Sequence, residues 1–183
     1  TLTTDAMAGD NVIATYTSAS FADEDVGTDK VVSVSGISIN DTDVTNYTLL
    51  NTTTSTTADI TPRELTLDGI TGDNKVYDGT ADATVDFSSA SLVGVLPGET
   101  VGVDYSLAVA TFDNKNVGSG KTITFTGVVL TGADAGNYTL TPTTTADITP
   151  RDLTVAAAGI NKVYDGTTAA MVNTSTDALA GDN

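Results

Sequence analysis

The sequence predicts an all-β protein built from tandem antiparallel sandwich modules, on three observations. First, β-branched or aromatic residues alternate with small polar ones in most segments, the period-two signature of half-buried strands. Second, no window keeps a helical period for three turns. Third, the chain repeats itself: "ADITPRELTL" at Ala58 to Leu67 returns as "ADITPRDLTV" at Ala146 to Val155, and "NKVYDGT" at Asn74 to Thr80 returns at Asn161 to Thr167.

Taken in chain order, "KVVSVSGISI" from Lys30 alternates as a strand face. "RELTLDGI" from Arg63, "ADATVDFS" from Ala81 and "VDYSLAVATF" from Val103 read the same way, and "KTITFTGVVL" from Lys121 repeats the first of these. The Gly, Asn and Asp clusters between them, such as "LPGET" and "TGADAGN", mark turns. Threonine, abundant throughout, suits exposed strand faces better than helices.

Phe21, Val26, Gly27, Lys30, Gly36, Asp43, Asn46 and Tyr47 return as Phe112, Val117, Gly118, Lys121, Gly127, Asp134, Asn137 and Tyr138, each 91 positions on. Such a period is a domain rather than a solenoid turn. The displacement shortens to 88 at Ala58 and Ala146 and to 87 at Asn74 and Asn161, as expected if insertions and deletions fall in loops.

The spacing D-x-G-x-Y at Asp134, Gly136 and Tyr138 has the form of the tyrosine corner that opens strand F of immunoglobulin-like sandwiches. In the first repeat Asp43 and Tyr47 keep the Asp and Tyr, but the Gly is lost. Tandem immunoglobulin-like sandwiches are therefore the expected fold. A β-grasp module is the alternative, and it requires a helix that the pattern does not supply. "NYTL" would be strand F and "TADITP" strand G, with joints near Pro62 and Pro150, where a missing N–H ends a strand. Arg63 and Arg151 then open the next module. Residues 1–62 read as the C-terminal part of one module, 63–150 as a complete module and 151–183 as the N-terminal part of the next. "TDAMAGDN" at Thr4 matches "TDALAGDN" at Thr176, so the chain is framed either as a window of a longer array or as a unit whose last strands complete a neighbour.

Composition excludes several function classes. Twenty-four acidic residues against seven basic ones give a net charge of -17. This opposes binding to nucleic acid or to an anionic membrane surface. The absence of Cys and His removes disulfides, thiolate nucleophiles, the usual zinc ligand sets and every imidazole-based triad. No apolar run is long enough to span a bilayer, and no signal peptide is recognisable, so membrane insertion is not expected. No enzyme activity is expected, and no cofactor is required.

Among cations, calcium is the one these side chains could hold, at Asp23, Glu24 and Asp25 or at Asp41 and Asp43. The second repeat replaces the first cluster with "DNKN", which argues against a site in every module. A lysine–asparagine isopeptide bond, Lys30 or Lys121 with Asn46 or Asn137, competes with simple salt-bridged lysines, and the salt bridge is the expectation. The retained tyrosines, Tyr16 with Tyr105, Tyr47 with Tyr138 and Tyr77 with Tyr164, are expected to pack their rings and bond their hydroxyls. Asp78-Gly79 and Asp165-Gly166 read as turn residues.

"NKVYDGT" following "ITPRELTL" resembles the YDG-type repeat, related to MBG-type repeats, of large bacterial surface adhesins. The resemblance covers nearly the whole chain. It implies an extracellular stalk or extender module whose partners are neighbouring repeats or adjacent copies in a fibre. A glycan- or mucin-binding adhesin module is the alternative.

Overall fold

A computed structural model describes residues 2–182. These residues form an all-β, sandwich-type structure of several small sheets, and the only helices among them are two single turns of 3-10 helix, Val44–Asn46 and Ala135–Asn137. The helix that a β-grasp module needs is absent from the described residues. The chain divides into two compact units, Thr1–Glu64 with Ala133–Thr139, and Leu65–Gly132 with Leu140–Asn183.

The first unit contains β1 (Ile13–Thr15), β2 (Ser18–Phe21), β3 (Gly27–Ser35), β4 (Ser38–Asn40) and β5 (Thr53–Ile60). β6 (Arg63–Asp68) follows, then β7 (Thr71–Gly72), β8 (Lys75–Val76), β9 (Asp82–Ala83), β10 (Val85–Asp86) and β11 (Ser91–Val93). Next come β12 (Gly102–Asp104), β13 (Val109–Phe112), β14 (Gly118–Thr126), β15 (Val129–Thr131), β16 (Tyr138–Leu140) and β17 (Thr143–Thr149). The hairpin β18 (Val155–Ile160) and β19 (Met171–Thr176) closes the sequence of strands.

In the second unit the main sheet has the order β8-β17-β14-β13-β9. Its alternation places Phe112, Ile123, Ala146 and Ile148 on one face, each at most 6% exposed, under Tyr77, Ala81, Ala83 and Val85. Apolar burial of this kind is the main source of stability in a chain without disulfides. Within this sheet β17, β14, β13 and β9 pair antiparallel, whereas β8 runs parallel to β17, with Ile148 opposite Lys75 and Thr149 opposite Val76.

In the first unit β2-β3-β5 repeats the order of β13-β14-β17. Both long central strands carry the same irregularity, between Gly27 and Lys30 in one and Gly118 and Lys121 in the other. The backbone turns left-handed there, at Asp29 (φ 53°) and Gly120 (φ 58°). An Asp carboxylate on the directly paired strand accepts from the freed amide in each case, Asp59 from Asp29 N at 2.9 Å and Asp147 from Gly120 N at 2.7 Å.

Two expectations are corrected by glycine stereochemistry and by pairing. "KTITFTGVVL" is two strands, not one. At Gly127 φ is 76°, and a Cβ there would lie 2.1 Å from the Leu107 carbonyl oxygen. The chain therefore turns, and β15 leaves the main sheet to pair with β12. "KVVSVSGISI" breaks the same way at Gly36. "NYTL" is a strand only in the second repeat: β16 pairs with β6, whereas Tyr47–Leu50 has no such neighbour and forms none.

Candidate functional site

The most chemically dense stretch is "NKVYDGT", whose Lys, Asp and Thr side chains bond to one another within the turn. Gly79 adopts φ 83°, which permits the reversal. The Asp78 carboxylate accepts from the Thr80 N–H at 2.9 Å and the Thr80 hydroxyl at 3.0 Å. Lys75 Nζ then reaches Asp78 Oδ1 at 2.9 Å, the Thr80 carbonyl at 3.0 Å and the Asp82 carbonyl at 2.8 Å. One ammonium thus neutralises a carboxylate and caps two carbonyls. The lysine first, and the Thr80 N–H after it, lower the Asp78 pKa to about 2. A carboxylate so engaged stays ionised at neutral pH.

The turn is also stitched to the strand beside it. Asn74 Oδ1 accepts from Asp147 N at 2.7 Å, Tyr77 N donates to the Thr149 carbonyl at 2.9 Å, and Thr149 Oγ1 donates to the Lys75 carbonyl at 3.3 Å. The second occurrence folds identically within itself: Lys162 Nζ bonds Asp165 at 2.9 Å and the Thr167 carbonyl at 3.0 Å, while Thr167 N donates to Asp165. Gly166 has φ 75°. This occurrence makes the turn with its surface open: Tyr164 is 92% exposed, whereas Tyr77 packs on the core.

A second constellation joins tyrosines to a turn that occurs three times. "MAGD", "LPGE" and "LAGD" each close a β-turn, Asp10 N to Met7 O, Glu99 N to Leu96 O and Asp182 N to Leu179 O. Gly9, Gly98 and Gly181 supply the positive φ. In the first unit the Tyr47 hydroxyl donates to Asp10 at 2.6 Å and accepts from Met7 N at 2.9 Å. The Asp10 carboxylate, with the Met7 N–H opposing it, raises the Tyr47 pKa. Asp43 Oδ2 accepts from Asn11 N at 2.8 Å. In the second unit Asp182 accepts from the Tyr77 hydroxyl at 2.7 Å and from Lys115 at 2.9 Å, and these partners hold its carboxyl below the usual range.

Asp134 and Tyr138 flank the second 3-10 turn as Asp43 and Tyr47 flank the first, and Tyr138 is buried. Gly136 has no positive φ, and a Cβ there would meet nothing within 4 Å, which explains why Thr45 can stand in its place. Pro62 lies between β5 and β6, and Pro150 immediately after β17. Arg63 opens β6, but after Arg151 the strand begins only at Val155.

The carboxylates named for calcium are dispersed among protein donors. Asp23 takes the Lys30 ammonium, which lowers its pKa, and Asp25 Oδ1 accepts from Asn137 Nδ2 at 3.2 Å. Asp41 binds Thr42 N, Asp43 binds Asn11 N, and Glu24 is exposed. No group of three or more potential ligands forms among the described residues. Lys121 pairs with Asp113 and Asn114, and Asn137 Oδ1 accepts from Val26 N. The two lysines sit in ion pairs, Lys30 with Asp23 and Lys121 with Asp113.

Of the remaining tyrosines, Tyr105 stacks on Phe87 with ring centroids 4.7 Å apart, and Tyr16 is 55% exposed. Sequence reasoning missed Asp10, Asp182 and Asn74. The threefold G-[DE] turn was the signal for the first two, and the paired Asn before each Lys was the signal for the third.

A family model of the YDG domain matches residues 1–57 and 61–146. The chain belongs to the YDG domain family. The motif of the name is Tyr77-Asp78-Gly79, and the geometry gives it a structural meaning in this YDG chain: the aspartate and glycine build the turn, and the tyrosine carries it onto the core. No curated protein and no solved structure matches the chain.

Proposed function

We propose that this YDG chain is a non-catalytic, force-bearing extender of an extracellular bacterial surface protein or fibre, joined head to tail with neighbouring modules. The observation that carries this reading is the parallel pair β8–β17. β8 follows β6 and β7, and β17 runs on through Pro150 towards the β18–β19 hairpin. A pull on the two ends therefore slides these strands past one another. Parallel strands loaded this way share the force among their bonds, whereas a hairpin pulled from its open end breaks one bond at a time. The bonds of Asn74, Tyr77 and Thr149 lie across the same seam.

The tied-down carboxylates support the non-catalytic reading, and the negative charge discourages lateral association. Calcium is not required in this account. Glycan binding would need free aromatic platforms: Tyr105 is stacked on Phe87 and Tyr77 packs on the core, which leaves Tyr16 and Tyr164 as the exposed rings such a reading would have to use.

Single-molecule stretching of the chain by its ends tests the proposal. A force peak for the second unit is expected, reduced in Asn74→Ala, which removes the bond to Asp147 N. A peak unchanged by that substitution, or no peak above the extension of an unstructured chain, would sink it.

A further inference from the structure

We propose that the loop at residues 23–26 is a socket for the 3-10 turn of the repeat that follows it, locked by the side-chain amide of Asn137; this rests on the head-to-tail reading above and names the contact by which consecutive repeats hold one another. The first unit is discontinuous in sequence. It comprises Thr1–Glu64 together with Ala133–Thr139, which belong by sequence to the second repeat. A turn of one repeat is thus built into the unit of the repeat before it.

The socket is held in shape by its own bonds. Asp23 Oδ1 accepts from Asp25 N at 3.1 Å and from the Lys30 ammonium, and the same ammonium donates to the Asp25 carbonyl. The Lys30 side chain is only 13% exposed, so this tie is screened less than a surface ion pair. These bonds use the main chain of Asp25 and leave its carboxylate and the Val26 N–H for another partner.

Asn137 takes both. Its Oδ1 accepts from Val26 N at 2.8 Å, and its Nδ2 donates to Asp25 Oδ1 at 3.2 Å. A side-chain amide carries an acceptor and a donor side by side, which matches a carboxylate followed by a main-chain N–H. An aliphatic side chain at 137 would leave the partly buried N–H without its acceptor. The amide is presented by the turn Ala135–Asn137, closed by Asn137 N on the Asp134 carbonyl at 3.0 Å, and the next residue, Tyr138, is buried and opens β16 beside β6.

Both halves of the contact occur twice in the chain. In the second repeat Asn114 Oδ1 accepts from Asn116 N at 3.0 Å and from Lys121 Nζ at 2.9 Å, as Asp23 does from Asp25 and Lys30. Val117 stands where Val26 stands, and Asn46, on the turn Val44–Asn46, stands where Asn137 does. Asn116 in place of Asp25 changes the charge of the socket but keeps an oxygen acceptor. Each repeat therefore carries a socket and an asparagine, the two halves that a contact handed from one repeat to the next requires. The contact joins residues on either side of Pro62 in sequence, so repeats linked covalently through Thr61-Pro62 are tied a second time.

Amide hydrogen exchange of the full chain, resolved by NMR and corrected for intrinsic rates, tests the proposal. The Val26 N–H is expected to be protected in the parent. Asn137→Ala is expected to speed its exchange by about five- to tenfold, the effect of losing one hydrogen bond. The Phe112 N–H, which donates to the Ala81 carbonyl in the second unit, is expected to keep its rate. Asp25→Ala, a change on an exposed loop, is expected to speed Val26 exchange by about two- to fivefold in the parent and to add nothing in Asn137→Ala, because the two residues act through one contact. Val26 exchange as fast as in an unfolded chain would mean that the turn does not seat. A rate unmoved by Asn137→Ala would assign the protection to another group, and additive effects of the two substitutions would mean that the residues act apart. An equal rise at Phe112 would mean that Asn137 holds only its own repeat together. Each of these outcomes overturns the proposal. None involves the β8–β17 seam, so the stretching peak judges the extender reading separately.

Discussion

At the scale of single residues, the lysine of the YDG turn is worth more in one repeat than in the other. The Lys75 side chain is 19% exposed and that of Lys162 40% exposed, and Lys75 adds a bond to the Asp82 carbonyl to the turn bonds the two share. Lys75→Met is expected to destabilise the second unit by about 1.5–2 kcal/mol, the low end of the range for hydrogen bonds to a charged group, because the side chain is partly exposed. Lys162→Met is expected to leave the melting temperature unchanged, and thermal denaturation of the two variants checks both. The Asp78 pKa is depressed from 3.8 to about 2. Its contribution is therefore complete above the ordinary value and is lost as pH falls through the depressed one. An acid titration of stability is expected to drop over that window, and to flatten there in Lys75→Met. Asp29 offers a gain: it holds a left-handed φ of 53° where the second repeat has Gly120. Asp29→Gly is expected to be neutral or stabilising by up to about 1 kcal/mol in a denaturant titration, since the strain of a Cβ in that conformation is removed. The turn glycines and the Asp-Gly turns were legible from residue type alone. The partners of Lys75 beyond its own turn, and the tyrosine bonds to Asp10 and Asp182, needed the fold.

At the scale of elements, strands were legible by their alternation, but their ends were not. Gly127 interrupts a good strand pattern because the Leu107 carbonyl comes too close for a side chain, and the sequence does not contain that proximity. Gly72 is similar. Gly72→Val is expected to cost about 1–3 kcal/mol by overpacking against Ile123 and Ala146, seen as a lowered unfolding midpoint. Gly136→Ala, at an open position without positive φ, is expected within about 0.5 kcal/mol of the parent. The parallel pairing of β8 with β17 was not foreseen. Two residues are too few to carry a pattern, and their direction is decided by how the chain crosses between edges.

At the scale of the whole molecule, charge sets the response to solution conditions. A net charge of -17 makes self-repulsion the dominant long-range term, so monovalent salt is expected to raise the melting temperature by screening it. Chelation is expected to leave that temperature unmoved, because the candidate calcium carboxylates are engaged by Lys30, Asn137, Thr42 and Asn11. A fall on adding chelator, reversed by calcium, would contradict this. The same two measurements separate general screening from specific ion binding.

By itself the sequence determined the all-β class, the repeat and its family, and the positions of the tight turns. These depend on local alternation, on Gly and Asp in fixed spacings, and on the comparison of the chain with itself. Only the tertiary structure decided which edges are paired and which are open. Tyr77 and Tyr164 sit in the same words, yet one packs on the core and the other is exposed. The physical reason is that a strand's burial belongs to its neighbours in space: residues 74–85 lie against the sheet of β13, β14 and β17, whereas β18 and β19 pair with each other.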